Sequence, residues 1–204
     1  MIASGLPTEQ DTSMTFLHKL AATAALGLML GIGSASAQQP SPENTLTLTT
    51  DKGDVVIALR PDLAPQHVAR IKDLASKGEY NDVVFHRVIE GFMAQTGDVQ
   101  YGKRNGSTEM AGMGGSSQAD LPAEFSKETF DRGTVGMARS QDPNSANSQF
   151  FIMLADGDFL DGQYTVVGDV VTGMDVVDQI KKGDPNQNGA VADPDYIVSA
   201  KVGG

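Results

Sequence analysis

The sequence predicts a mostly-β domain with two helices. Short apolar segments with strand-like alternation recur along the chain, and turn-forming residues separate them. Two segments, 65–77 and 173–182, show instead the three- and four-residue apolar spacing of an amphipathic helix. The 204 residues are 40% hydrophobic and 20% charged, which is typical of one globular domain with appendages.

Charge and composition exclude several classes of function. A net charge of -11 argues against holding nucleic acid or an anionic membrane by a basic surface. The chain has no cysteine, so it can form neither a disulfide nor a thiolate zinc site. Beyond the N-terminal segment only His67 and His86 remain, too few for a histidine-built metal site. We therefore expect no metal and no cofactor.

The first 37 residues have the pattern of a secretory signal peptide. A short segment that starts at Met14 and contains a lysine precedes the apolar stretch 20–33 and the small residues Ala35-Ser36-Ala37. A membrane anchor needs about 20 apolar residues, more than the stretch 20–33 provides. A buried helix of this Gly and Ala content would pack poorly. Both alternatives therefore explain the segment less well than a signal peptide. We expect an upstream extension before Met14 and a mature domain of 38–204 in the periplasm or outside the cell.

The domain begins with a predicted hairpin and a helix. Leu46 and Leu48 alternate with threonines, and a turn at 51–54 leads into the apolar strand 55–59. Pro65 lies near the first position of the helix predicted over 65–77.

A long segment rich in glycine and serine, 98–122, shows no periodicity. Its run 112–117 lacks the spacing of a P-loop, which favours a flexible wall of a peptide groove over a phosphate site. Strands follow at 133–140 and 148–154. In the second strand alternation places Gln149, Phe151 and Met153 on one face, and Phe150, Ile152 and Leu154 on the other.

The C-terminal part contains the second helix, 173–182, and a final strand, 196–202, which can pair with the N-terminal hairpin. Between them the acidic loop 184–195 approaches the spacing of a calcium loop. Its proline and the strand that follows are wrong for that motif, so a plain turn is favoured.

The run 85–98 carries the groups of greatest chemical interest. After an apolar start it alternates, which places Phe85 and Arg87 on one side and His86 on the other. An arginine among apolar side chains is costly unless a partner or ligand receives its hydrogen bonds. Further apolar and amide groups follow closely: Phe92, Met93 and Gln95.

This run resembles the signature of the cyclophilin family of peptidyl-prolyl isomerases, in which Phe-His-Arg is followed by Gly-Phe-Met, then by Gln and Gly-Asp. It departs at Glu90, where proline is usual, and at Thr96, where glycine is usual. Two further blocks, within 133–154 and 159–170, resemble the same family, the first in its bacterial form. The resemblance implies a closed antiparallel β-barrel of about eight strands, capped by two helices.

The resemblance also implies a site, and the chemistry of isomerisation gives its residues roles. Arg87 is the candidate donor to the prolyl nitrogen, Gln95 would hold the carbonyl of the rotating bond, and Phe92 would help to grip the ring. The remaining groove residues would contact the substrate, Arg139 and Ser140 mostly through their backbone: Met93, Ala138, Arg139, Ser140, Gln149, Phe151, Phe159, Leu160 and Tyr164.

Two positions depart from many eukaryotic members of the family. Phe159 stands where they carry tryptophan, and because it lacks an indole N–H we expect weak binding of cyclosporin-type inhibitors. Tyr164 stands where they carry histidine, and its ring and hydroxyl still suit a substrate.

The sequence thus predicts a monomeric peptidyl-prolyl isomerase that acts on unfolded or extended proline-containing polypeptides and assists the folding of exported proteins. A non-catalytic proline-peptide binder or holdase chaperone using the same groove is the alternative, but only catalysis needs Arg87 and Gln95 together. A purely structural reading, with Arg87 in a surface ion pair, leaves three matching blocks unexplained.

Overall fold

The computed structural model describes residues 41–203. Two α-helices lie within this part, α1 (Pro65–Ser76) and α2 (Met174–Gln179), and no helix of it is both long and apolar enough to cross a membrane. The strands in chain order are β1 (Thr45–Thr50), β2 (Gly53–Leu59), β3 (Val83–Val84), β4 (Arg87–Ile89), β5 (Met93–Thr96), β6 (Thr134–Met137), β7 (Phe150–Met153), β8 (Val166–Thr172) and β9 (Tyr196–Val202). Short 3₁₀ helices occur at Pro42–Asn44, Asp158–Leu160 and Pro185–Gln187.

The strands form one curled antiparallel sheet in the order β3-β9-β1-β2-β8-β6-β7-β5-β4. The two edge strands, β3 and β4, are consecutive in the chain and are linked by Phe85 and His86, so the curl brings the edges of the sheet together. This confirms the mostly-β, barrel-like fold with two helices. Nine strands rather than about eight are described because the segment 83–89 divides into two.

The predicted elements near both ends of the domain are confirmed. Thr50 lies opposite Gly53 in the β1–β2 hairpin, and β1 pairs on its other side with β9. Helix α1 begins at Pro65, where the missing N–H of proline costs nothing because the first turn has no acceptor for it.

The division between β3 and β4 corrects one prediction from the sequence. Phe85 is fully buried in the main core with Val88, whereas Arg87 lies on the other side, facing Gln95. Strand pairing is interrupted at Phe85 and His86, so alternation does not carry across them.

Strand β7 separates the two apolar clusters and so positions the site. As predicted, Phe150 and Ile152 belong to the main core beneath the sheet, together with residues of β1, β2 and α1. Phe151 and Met153 belong to a second cluster on the opposite face, with Met93, Phe130, Leu160 and Val166. Because the core-facing side chains of β7 are buried, the register of this strand is fixed, and Phe151 and Met153 are held on the face that carries the site.

Candidate active site

A cavity of about 380 Å³ lies over the second apolar cluster. Its lining comprises Arg87, Phe92, Met93, Gln95, Ala138, Arg139, Phe151, Phe159, Leu160, Gln163 and Tyr164. All of the predicted site residues except Ser140 and Gln149 are among them. Sequence reasoning missed Gln163, although it precedes Tyr164 in one of the matching blocks.

A second cavity, of about 280 Å³, adjoins the first and shares Gln95, Ala138 and Arg139 with it. Ser140 and Gln149 line this cavity, so the structure brings every predicted site residue to one continuous groove. The wall predicted within 112–117 is present at Gly112, Met113 and Gly114. Sequence reasoning missed Ser145 and Asn147, which lie in the loop between the two matching strands.

Strand pairing places Arg87 beside Gln95. The two residues are direct partners in the antiparallel β4–β5 ladder, so their side chains point to the same face. Arg87 Nη1 donates to Gln95 Oε1 at 3.2 Å and lies 3.9 Å from the sulfur of Met93. On the opposite side Nε and Nη2 donate to the backbone oxygen and to Oδ1 of Asn188, both at 3.0 Å.

Arg87 carries an uncompensated charge within the described residues. Partial burial lowers the pKa of Arg87, yet an arginine stays protonated at neutral pH. Among residues 41–203 no carboxylate lies within ion-pair distance of its guanidinium. The surface ion pair of the structural reading is therefore not found, and the positive charge faces the cavity.

The amide of Gln95 has a fixed orientation. Its Oε1 accepts from Arg87, and its Nε2 donates to Gln149 Oε1 at 2.9 Å. Gln149 Nε2 in turn donates to the backbone oxygens of Gly112 and Gly114, at 3.0 and 2.8 Å. An amide nitrogen has two N–H donors, so Gln95 keeps one for a carbonyl in the groove.

The wall beside Gln149 is anchored by one buried carboxylate. Asp98 accepts from the backbone N–H groups of Gln100, Tyr101, Gly112 and Gly114, at distances of 2.8 to 3.0 Å. Charge-assisted bonds of this kind are stronger than neutral ones. Glycine is required at position 114 because a Cβ there would lie 2.6 Å from Asp98 Oδ1.

The floor of the first cavity is apolar and aromatic. Phe151, Leu160 and Met93 are almost fully buried, and Phe130 stacks beneath Phe151 with ring centroids 5.8 Å apart. Tyr164 meets the Phe151 ring edge to face at 5.8 Å. A small apolar ring such as that of proline can be held here without leaving a polar group unpaired.

Arg139 and Ser140 use much of their hydrogen-bonding capacity inside the protein. The Arg139 guanidinium lies 4.3 Å from the centroid of the Tyr164 ring and donates to the backbone oxygens of Gln163 and Ser140. The Ser140 N–H donates to Ser145 Oγ at 2.8 Å. Both backbone groups of Ser140 therefore have partners inside the protein, and only the second lone pair of its carbonyl is left for the backbone contact with substrate that the resemblance implies.

Phe159 forms an exposed rim of the cavity. Its side chain is 64% exposed, and its ring lies 5.5 Å from that of Phe92. We expect Phe159→Trp to tighten cyclosporin-type inhibitors about tenfold, because a tryptophan adds an indole donor at a site with room for it. Titration calorimetry of both proteins measures this, and wild-type binding as tight as that of the variant would contradict it.

His86 lies half-buried behind the wall of the second cavity, with both of its ring nitrogens buried. A Cβ at Gly112 would lie 2.9 Å from its Cδ2, and both ring nitrogens are without a hydrogen-bond partner among the described residues. Burial lowers the pKa of His86 from its usual 6.5, although the nearby Asp98 opposes the change. The folded protein therefore favours the neutral ring.

This burial predicts a pH dependence of stability. The unfolded chain binds a proton more readily at His86, so the free energy of unfolding falls as the pH drops through 6.5 toward the lowered folded value. Above that range the effect is absent. Urea unfolding at pH 8 and pH 5 should show a smaller acid loss for His86→Gln than for the wild type, and equal losses would contradict the assignment.

The comparison with protein families decides the identity of the fold. The profile described as cyclophilin type peptidyl-prolyl cis-trans isomerase matches residues 45–202, almost the whole described part. The chain belongs to the cyclophilin family. This cyclophilin is 60% identical to a probable peptidyl-prolyl cis-trans isomerase of Brucella suis. The 192 aligned residues are 93% of this chain and 97% of that protein.

More distant relatives agree. Peptidyl-prolyl cis-trans isomerase B of Escherichia coli is 42% identical over 144 residues, which are 67% of this chain and 83% of that protein. The crystal structure of a cyclophilin from Hirschia baltica aligns with a TM-score of 0.67 at 28% identity, over 80% of this chain and 75% of that one. These likenesses confirm the fold and the isomerase class predicted from the sequence.

Proposed function

We propose that this cyclophilin isomerises X–Pro bonds in unfolded or extended polypeptides outside the cytoplasm, with Arg87 as the donor to the prolyl nitrogen. The observation that carries the proposal is the placement of Arg87. Its guanidinium is held from two sides, faces a cavity with an apolar floor and has no carboxylate partner within residues 41–203.

The chemistry requires no nucleophile. Rotation about an X–Pro bond breaks amide resonance and has a barrier of about 20 kcal/mol. As conjugation is lost, the lone pair of the prolyl nitrogen becomes able to accept a hydrogen bond. A donor placed near that nitrogen therefore binds the transition state more strongly than the planar ground state.

The groove supplies the remaining parts of this mechanism. The apolar floor formed by Met93, Phe151 and Leu160, with Phe92 beside it, holds the pyrrolidine ring. The free N–H of Gln95 holds the carbonyl of the bond that rotates. Millisecond turnover requires about four powers of ten, or roughly 5 to 6 kcal/mol, which one preorganised donor and an apolar clamp can supply.

Exchange NMR on a short proline peptide tests the activity of residues 38–204 without a coupled protease. We expect cis and trans signals to exchange in the presence of catalytic amounts of the protein. A non-catalytic binder or holdase would shift or broaden peptide signals in proportion to bound peptide and would not accelerate exchange. That outcome would replace the proposed function by the alternative.

The proposed location outside the cytoplasm rests on the expected signal peptide alone. Residues 1–37, with the expected signal peptide, lie outside the described residues. We expect the mature protein to begin at or near Gln38, because the small residues Ala35-Ser36-Ala37 fit a signal peptidase. Mass spectrometry of the protein from its native host checks this, and an intact segment 14–37 would contradict export by cleavage.

A further inference from the structure

We infer that Asn188 is a positioning residue for Arg87: its two oxygens hold the guanidinium so that the remaining N–H groups face the proline. The inference rests on the proposed function, since it concerns the same donor. Asn188 lies in the loop after the 3₁₀ helix Pro185–Gln187, far from the matching blocks in sequence. The sequence alone favours a plain turn for this loop.

The contact is a two-point one. An arginine side chain has five N–H donors, on Nε, Nη1 and Nη2. Asn188 accepts from Nε with its backbone oxygen and from Nη2 with Oδ1, each at 3.0 Å. Two bonds to one residue fix the plane of the guanidinium as well as its position, whereas Gln95 alone would leave it free to turn about one contact.

The donors that remain are those the mechanism needs. Nη1 has one N–H directed to Gln95 Oε1 and lies 3.9 Å from the sulfur of Met93, a weak acceptor. Nη2 keeps one N–H beyond its bond to Asn188. Both nitrogens belong to a side chain that lines the first cavity, so a prolyl nitrogen held over its apolar floor can receive a bond from either.

The backbone of the loop makes Asn188 suited to this contact. Asn188 adopts the left-handed conformation, with φ 54° and ψ 33°, which asparagine tolerates better than most residues. Gly189 follows with φ 77°, and its oxygen accepts from the N–H of Val88, next to Arg87. The carbonyl of Val88 accepts from Gly183 at 2.9 Å.

The loop is therefore attached to β4 on both sides of Arg87 without help from the Asn188 side chain. Val191 N donates to the oxygen of His86, and Asp184 caps the 3₁₀ helix through Asn186 N. Removing the side chain at position 188 should leave the loop in place. This property separates a positioning role from a merely structural one.

Asn188→Gly is the decisive variant, because glycine accepts the same left-handed conformation and keeps the backbone oxygen. Asp193→Gly is its matched control: Asp193 also has a positive φ, 52°, in the neighbouring turn, and its side chain is fully exposed. We expect Asn188→Gly to lower kcat about tenfold with peptide affinity nearly unchanged, since small misplacement of a catalytic group is costly. Asp193→Gly should keep the wild-type rate.

Two further measurements exclude a structural explanation. The NMR signals of the Arg87 guanidinium should show restricted rotation in the wild type and in Asp193→Gly, and averaging in Asn188→Gly. In an Arg87→Lys background Asn188→Gly should change the rate less than twofold, because an ammonium cannot use both oxygens.

The outcomes separate this inference from the proposed function. A folded Asn188→Gly protein of wild-type rate, beside an impaired Arg87→Ala protein, would overturn the positioning role and leave the function intact. Wild-type rates in both variants would eliminate Arg87 as the donor, and the positioning role with it, while the isomerase activity itself would stand. Equal rate losses in Asn188→Gly and Asp193→Gly would assign the effect to loop structure and overturn the inference.

Discussion

Arg87→Ala should lower kcat/KM for a proline peptide by about a hundredfold or more, the scale of removing one transition-state donor. The wild-type guanidinium faces the cavity between two sets of acceptors, and no other cationic side chain of the described lining lies beside Gln95 in the β4–β5 ladder. Exchange NMR gives the rate. Thermal unfolding of the same variant shows whether the fold is intact.

In Arg87→Ala the affinity for the peptide should be largely kept while the isomerisation rate falls. The ring is held by Met93, Phe151 and Leu160 in the ground state and in the transition state, so the peptide dissociation constant should change far less than kcat. Arg87→Lys should restore little, because an ammonium on a flexible stem lacks the planar fork.

Arg60→Ala provides the control for loss of a surface guanidinium. Arg60 pairs with Asp62 at 2.9 Å and does not line either cavity of the groove. Its removal should cost at most about 1 kcal/mol of stability and leave catalysis unchanged. A folded Arg87→Ala protein that isomerises as fast as Arg60→Ala would eliminate Arg87 as the donor.

The architecture was predictable because local patterns and long-range pairing agree in this chain. The β1–β2 hairpin follows from alternation and one turn, and helix α1 from its apolar stripe and Pro65. The break at Phe85 and His86 was not predictable, since it depends on the closure of the sheet, where β3 pairs with β9 and β4 with β5. Alternation alone cannot show where a strand changes partner.

The lining of the groove was predicted from three matching blocks, whereas its supports were not. Asn188 reaches Arg87 across about a hundred residues of sequence, and Asp98 holds the wall by accepting backbone N–H groups. Neither contact leaves a periodic or compositional trace. Polar supports of this kind depend on tertiary placement, which single-sequence patterns do not encode.

Phe130 is an apolar support of the groove, and its removal should have a large effect on stability. Its side chain is fully buried, stacks on Phe151 and meets the edge of Tyr164 at 6.4 Å, yet it does not line either cavity of the groove. Phe130→Ala should reduce the free energy of unfolding by about 3 to 5 kcal/mol, through lost burial and the cavity left behind. Urea unfolding measures the loss.

The same change should weaken peptide binding, because Phe151 and Tyr164 lose the ring that fixes them. Phe130→Leu, which keeps part of the volume, allows the test if the alanine variant does not fold. Phe159→Ala is the opposite case: its ring is exposed at the rim, so binding should weaken while stability stays within about 1 kcal/mol of wild type. If Phe130→Leu is destabilised but binds peptide as tightly as wild type, the floor of the groove does not depend on Phe130, and the stacking seen beneath Phe151 is core packing alone.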